Sequence, residues 1–208
     1  MTSAQIIRCL GLVSLISGML IVGTHILTLE QIKKNQEIIQ RDSVAQLLPG
    51  AVKQITYGVG DDGSLTVLAQ ADAPGRKMFA GYDSGGKLLG VVLEASERGY
   101  ADVISALYAY DPIAKAVTGF RVVEMKETPG LGDKITKDPD FLKNFEKLDA
   151  SHPIATVKHG TKKNPWEIDA ISGATISSRA VGRMLQKSTA EMAPIVERNL
   201  DRLRKGNE

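Results

Sequence analysis

From Cys9 to Leu29 the chain carries no formal charge and is rich in Leu, Ile, Val and Gly. A helix of that length spans roughly 30 Å, the hydrocarbon thickness of a bilayer. Residues 1–29 are therefore expected to form a single-pass membrane anchor with its short leading segment, and the rest of the chain must fold on one side of the membrane. A cleaved signal peptide would show a shorter apolar core and a small-x-small site, and Leu27-Thr28-Leu29-Glu30 offers none. Cys9 follows Arg8 and precedes the apolar run, which argues against a lipoprotein. Ser14, Ser17, Thr24 and His25 either face neighbouring helices or satisfy themselves on their own backbone and at the interface. Arg8 and the terminal amine precede the span, while Lys33, Lys34 and Arg41 follow it, so the charge rule leans weakly towards a cytoplasmic domain.

A chain of 208 residues holds one ordinary domain beside such an accessory element. Glu30 to Leu48 continues as a helix with a rough apolar stripe of Ile32, Ile38, Ile39, Ala45, Leu47 and Leu48, closed by Pro49-Gly50. Residues 30–50 read as a stalk and 51–208 as the domain. Gly58-Val59-Gly60-Asp61-Asp62-Gly63 has dinucleotide-fingerprint spacing, but Leu65 to Ala69 after it is strand-like, so the glycines read as a hairpin turn. Strand patterns follow at Lys77 to Tyr82, Leu88 to Ala95 and Val117 to Met125, with a turn at Ser84-Gly85-Gly86; Tyr100 to Tyr110 fits strand or helix. Phe141, Leu142, Phe145 and Leu148 recur at helical spacing. Val181, Met184, Leu185, Met192, Ile195, Val196 and Leu203 mark one long helix or two in succession, and Arg202 to Lys205 reads as a solvated tail. The expected fold is α+β: an N-terminal transmembrane helix, then a twisted, mostly antiparallel sheet with flanking helices.

The charge balance of 26 basic against 24 acidic residues implies no nucleic-acid partner. Cys9 is the only cysteine, which excludes an internal disulfide and a Cys-ligated iron–sulfur or zinc centre. His152 and His159 lack metal-ligand spacing and read as surface residues, so no metal site is expected. No Gly-x-Ser-x-Gly elbow or Ser/His/Asp arrangement appears.

Two short stretches carry chemistry. In Asp169-Ala170-Ile171-Ser172-Gly173-Ala174-Thr175-Ile176-Ser177-Ser178 an apolar strand breaks into small residues just where a long helix begins. The first amides of a helix lack intrahelical partners and carry the positive end of its dipole, so they hold a phosphate readily. Gly173 and Ala174 keep the approach open, and Ser177 and Ser178 add hydroxyl donors; a plain N-cap at Ser172 or Thr175 is the competing reading. In Glu127-Thr128-Pro129-Gly130-Leu131-Gly132-Asp133-Lys134, Pro129 and Gly130 suit the two corners of a type II turn, and Gly132 permits a close approach. Such a loop sets backbone donors beside apolar Leu131, which suits the edge and face of a planar ring, though a plain Pro-Gly turn would look the same. Trp166 and Pro165, just before the first stretch, read as packing residues or, alternatively, flavin neighbours.

Together the two stretches resemble the Asp-x-x-Ser-Gly-Ala-Thr and Glu-Thr-Pro-Gly-Leu-Gly patterns of the G subunit of the Rnf electron-transport complex and of the C subunit of the sodium-translocating NADH:quinone oxidoreductase. The resemblance covers roughly Leu88 to Leu185, and the anchor agrees with it. It implies FMN joined covalently by a phosphoester to Thr175. Ser172, Gly173, Ala174, Ile176, Glu127, Thr128, Leu131 and Gly132 are the implied cofactor contacts, with no catalytic residue. It also implies a flavin transferase for maturation and other subunits of an Rnf-type complex as partners, in a reaction linking reduced ferredoxin and NAD to ion translocation. The chain would then be a component of the enzyme, not a complete one. The implied location is the cell inner membrane with the flavin domain periplasmic, opposite to the weak lean of the charges. The family often places Ser-Gly or Gly-Gly after Gly-Tyr, whereas Ala101-Asp102 follows Gly99-Tyr100 here. A flavin-free anchored binding or assembly module is the rival reading; retention of Thr175 and Glu127-Thr128 argues against it.

Overall fold

The computed structural model describes residues 2–68 and 75–206, which divide into two compact units, 1–39 and 40–208. The first unit is most of one long helix, α1 (Ser3–Leu47). Across its most apolar 18 residues the mean hydropathy is 2.2, enough with its length to cross a membrane. Thr24 and Thr28 return their hydroxyls to the carbonyls of Leu20 and Thr24, at 2.7 and 2.8 Å, so these side chains satisfy themselves within the helix.

The second unit is α+β. Among the described residues its sheet has seven strands in the order β2-β1-β3-β4-β5-β6-β7, all antiparallel. The strands are β1 (Lys53–Val59), β2 (Leu65–Val67), β3 (Lys77–Tyr82), β4 (Leu88–Arg98), β5 (Val103–Asp111), β6 (Ala116–Glu124) and β7 (Leu148–Asp149). The glycine-rich stretch after β1 is a hairpin turn, with Val59 opposite Leu65; of the expected Leu65 to Ala69 strand, Ala69 lies outside the described residues. Gly86, at φ +77, closes the β3–β4 turn, where Asp83 accepts from the amides of Gly85 and Lys87.

Both faces of the sheet are covered. One carries Tyr57, Met78, Leu93, Tyr108 and Val117 against α3 (Thr175–Arg198), whose Val181, Met184, Leu185 and Val196 are buried. The other carries Phe79, Val92, Leu107 and Ala109 against Val44 and Leu48, from the last turns of α1 and just beyond it. This seat is floored by glycines: a Cβ at Gly81 would lie 2.6 Å from Leu48 Cδ1, and one at Gly119 2.9 Å from Leu47 Cδ2. Of the apolar stripe read from Ile32 to Leu48, Ile32, Ile38 and Ile39 stay exposed, while Leu47 and Leu48 make the contact together with Val44, which lies outside that stripe.

Between β6 and α3 the chain forms a 3₁₀ turn (Gly132–Thr136), a five-residue helix α2 (Pro139–Lys143) and a parallel pair, β8 (Ala155–Val157) with β9 (Glu167–Asp169). The helical spacing of Phe141 to Leu148 is thus a helix only at its start. Phe145 instead packs edge-on against Phe141 at 5.2 Å, and Leu148 pairs with Val117 as β7. The basic end is not a loose tail: it forms α4 (Leu200–Lys205), buries Leu203, and Arg202 donates to Leu65 O at 2.8 Å.

Candidate functional site

β9 delivers Asp169 to the site, and the chain then reverses through Ile171-Ser172-Gly173-Ala174. Ala174 N donates to Ile171 O at 3.1 Å, and Gly173 at φ +82 takes the corner a side chain would disfavour. α3 begins at Thr175 with Ala174 as its N-cap, and no side chain caps it. The competing N-cap reading of Ser172 or Thr175 is therefore not what the backbone adopts. The amides of Thr175, Ile176 and Ser177 have no intrahelical acceptor and point outward at the positive end of a 24-residue helix.

The hydroxyls here divide sharply. Ser177 is buried and donates to Glu127 Oε2 at 2.6 Å; Ser178 is buried, donates to Ala174 O at 2.9 Å and accepts from Ile171 N at 3.1 Å. Both are committed to the fold, which corrects their expected part as free donors. Thr175 is half-buried, and among the described residues its Oγ has no protein partner.

The second stretch follows β6. Leu131 N donates to Thr128 O at 3.2 Å with Gly130 at φ +77, a type II geometry with Pro129 leading. Gly132 answers a different need: a Cβ there would overlap Glu127 Oε2 and stand 2.9 Å from Ser177 Oγ, so only a bare backbone lets this loop meet α3. Thr128 and Ser172 are exposed, and Leu131 and Ile176 are half-exposed, at 50% and 51%, one from each stretch. Glu127 is 7% exposed and lies beneath them. Its Oε1 accepts from Tyr100 N and Ala101 N at 3.0 and 3.1 Å, so the Gly99-Tyr100 loop joins the site despite its altered continuation.

One support of Asp169 had no signal in the local pattern. Asn144, buried at the end of α2, accepts from Asp169 N at 3.1 Å and donates to Phe141 O at 2.9 Å, fixing β9 to α2. Asp169 in turn accepts from Gly160 N with both carboxylate oxygens, at 2.8 and 3.0 Å. His159 donates Nδ1–H to Ala170 O at 3.1 Å, and His152 stacks on Trp166 at 4.4 Å; both histidines are more than half exposed. Trp166 thus packs on His152.

Residues 99–190 match the family model of the FMN-binding domain. The chain is 34% identical over 180 residues to the G subunit of the ion-translocating oxidoreductase complex of Methanosarcina acetivorans, covering 85% of this chain and 87% of that one. It belongs to the G-subunit family of ion-translocating oxidoreductase complexes. A further member, from Clostridium ljungdahlii, is the G subunit of a proton-translocating ferredoxin:NAD(+) oxidoreductase complex, 29% identical over 189 residues with 90% of each chain covered. The fold is shared with NqrC of Shewanella oneidensis, at TM-score 0.62 and 22% identity over 84% of this chain and all of that one. It is shared too with the C subunit of the Na(+)-translocating NADH-quinone reductase of Parabacteroides distasonis, at TM-score 0.60 and 20% identity over 86% and 98%. With the apolar α1, membership of the G-subunit family makes this a membrane-associated protein. FMN is then the group whose fit matters, and the residues present suit it: open amides and an unbonded hydroxyl for a phosphate, exposed Leu131 and Ile176 for an apolar ring.

Proposed function

We propose that this chain is a covalently flavinylated electron carrier in a membrane complex that couples electron transfer between ferredoxin and NAD to ion translocation. The observation that carries the reading is Thr175: a half-buried threonine with an unbonded hydroxyl, at the uncapped start of α3, inside an FMN-binding domain. Attachment joins Oγ to the flavin phosphate as a phosphoester. The Oγ–P bond forms from a phosphoanhydride-activated flavin donor as a flavin transferase removes the hydroxyl proton, and the anhydride P–O bond breaks, with the donor's other phosphate leaving as a phosphate monoester that keeps the bridging oxygen. The outward amides of Thr175 to Ser177 favour the phosphate's charge without a side-chain cation. Ser172, Gly173 and Ala174 shape the turn that presents Oγ, while Thr128, Leu131, Gly132 and Ile176 form the surface on which the ring rests. Bound FMN supplies one- and two-electron redox chemistry; the chain supplies attachment, orientation and an apolar face.

In this reading residues 1–29 anchor the chain in the inner membrane, 30–50 form the stalk and 51–208 the flavin domain, on the periplasmic side. Other complex subunits exchange electrons with it, and the anchor raises their effective concentration. The test is fluorescence in a denaturing gel of full-length protein made alongside a flavin transferase. Thr175→Ser keeps the hydroxyl and should keep the fluorescence; Thr175→Val should fold and lose it. Fluorescence that persists in the Val variant would refute the assignment.

A further inference from the structure

Glu127 is a buried carboxylate whose three donors are all neutral: the amides of Tyr100 and Ala101 on Oε1 and the Ser177 hydroxyl on Oε2. Two glycines close around it. A Cβ at Gly99 would overlap Oε1 and lie 2.7 Å from Ile104 Cδ1; one at Gly132 would overlap Oε2. Burying a charge on neutral donors is costly, and here its bonds join three parts whose other polar links, Arg183 to Arg98 O and Lys126 to Asp102, are exposed. The parts here are the loop at Gly99 to Ala101, the turn at Thr128 to Gly132 and the first turn of α3.

Each part presents an exposed apolar side chain at or next to the residue that meets the carboxylate: Tyr100 itself, Leu131 beside Gly132, and Ile176 beside Ser177. One buried carboxylate thus bridges the elements that carry these three side chains, two residues along α3 from Thr175. From this geometry we infer that Glu127 is a positioning residue: it latches the three segments into the surface on which the flavin ring docks, and has no part in attachment. With both oxygens committed to the chain, it acts through Tyr100, Ala101 and Ser177. This inference rests on the reading that Thr175 carries the flavin.

The pair Glu127→Ala and Glu127→Gln separates position from charge. Glutamine keeps an oxygen to accept from the Tyr100 and Ala101 amides, and its NH₂ can donate to Ser177 Oγ; alanine keeps nothing. In full-length protein made with a flavin transferase, both variants should retain denaturation-resistant fluorescence. The Ala variant should lose the visible circular dichroism of a docked flavin and show markedly lower fluorescence anisotropy, and the Gln variant should keep both. In the flavin-free Thr175→Val background, Glu127→Ala should speed amide exchange at Tyr100 and Ala101 by roughly tenfold or more, as expected for two lost hydrogen bonds. Unchanged dichroism and anisotropy in the Ala variant would overturn the latch. So would their loss in the Gln variant, since charge and not position would then be what matters. Should the Ala variant fail to fold, Ser177→Ala removes one of the three bonds, and unchanged anisotropy there would also count against the latch. Absence of covalent flavin from the parent protein would refute the Thr175 reading alone, and the exchange measurement would still decide whether Glu127 holds the loop.

Discussion

Gly130 and Gly132 stand two residues apart, and the structure requires glycine at each for a different reason, which a pair of alanine substitutions can expose. At Gly130 the φ of +77° is the constraint, and a Cβ there would meet nothing within 4 Å. Alanine should cost about 1–2 kcal/mol, the left-handed backbone penalty, and leave the surroundings in place. At Gly132 the constraint is space: the new Cβ would overlap Glu127 Oε2 and lie 2.8 Å from Glu127 Cβ and 2.9 Å from Ser177 Oγ. Relief requires the carboxylate to move, which adds the loss of a buried charged hydrogen bond to ordinary overpacking, about 2–4 kcal/mol together. For a domain of this size that corresponds to a fall of roughly 5–15 °C in melting temperature. The melt can be followed by near-ultraviolet circular dichroism of the full-length protein in detergent. Ser177→Ala provides the decisive control, because it removes the hydrogen bond that the intruding Cβ would break. In that background Gly132→Ala should cost about 1 kcal/mol less than in the parent. A Gly132→Ala melt within about 1 °C of the parent, or a cost unchanged by Ser177→Ala, would refute the packing argument around Glu127.

Two further outcomes follow from other parts of the molecule. With Cys9 replaced by Ser, a cysteine at exposed Ser64 should react with a membrane-impermeant maleimide added outside the inner membrane; labelling only from the cytoplasmic side would overturn the periplasmic orientation. Glu97 on β4 is held below its ordinary value of 4.5, first by the hydrogen bond from Lys187 and further by Arg183 on α3, with burial opposing. A carboxylate depressed on folding stabilises fully above its unfolded value and loses that contribution as pH falls through its folded one. Glu97→Gln should therefore melt lower than the parent at pH 7, by the equivalent of about 0.5–1 kcal/mol, and the two should converge below pH 4.5. A gap that persisted in acid would assign the loss to something other than the ion pairs.

How much of this was legible in the chain depends on which face a residue serves. β3 runs over Lys77–Tyr82, the bounds its pattern predicts, and the Ser84 to Gly86 turn lies where expected. By contrast Tyr100 to Tyr110 fitted two structures because β5 is a central strand covered on both sides: Ala106, Tyr108 and Tyr110 face α3, and Leu107 and Ala109 face the end of α1. A strand buried on both faces loses its period of two and reads as a plain apolar run. β4 continues past Ala95 to Arg98 because its last residues pair with β5 while their outer side chains stay polar and exposed, a pattern that apolar alternation does not register.

The same distinction applies to the site. Gly130 and Gly173 announce themselves, since positive φ is a local property that glycine serves within a single turn. Thr175 announces itself as well, because a helix start follows from the pattern on either side of it. Glu127 does not, although it stands in the most recognisable stretch after the attachment motif. The resemblance puts it among the implied cofactor contacts but says nothing about its donors, and these come from Tyr100 and Ala101, 27 and 26 positions before it, and Ser177, 50 positions after. A buried carboxylate is defined by those distant donors, which only the closed sheet and the seated helix bring together. The glycines that make room for it, Gly99 and Gly132, belong to two different stretches, and neither one alone distinguishes a ring contact from a latch beneath the ring. In the proposed reading, attachment at Thr175 is a local device and docking of the ring a tertiary one, and a substitution at Glu127 tests whether the two separate.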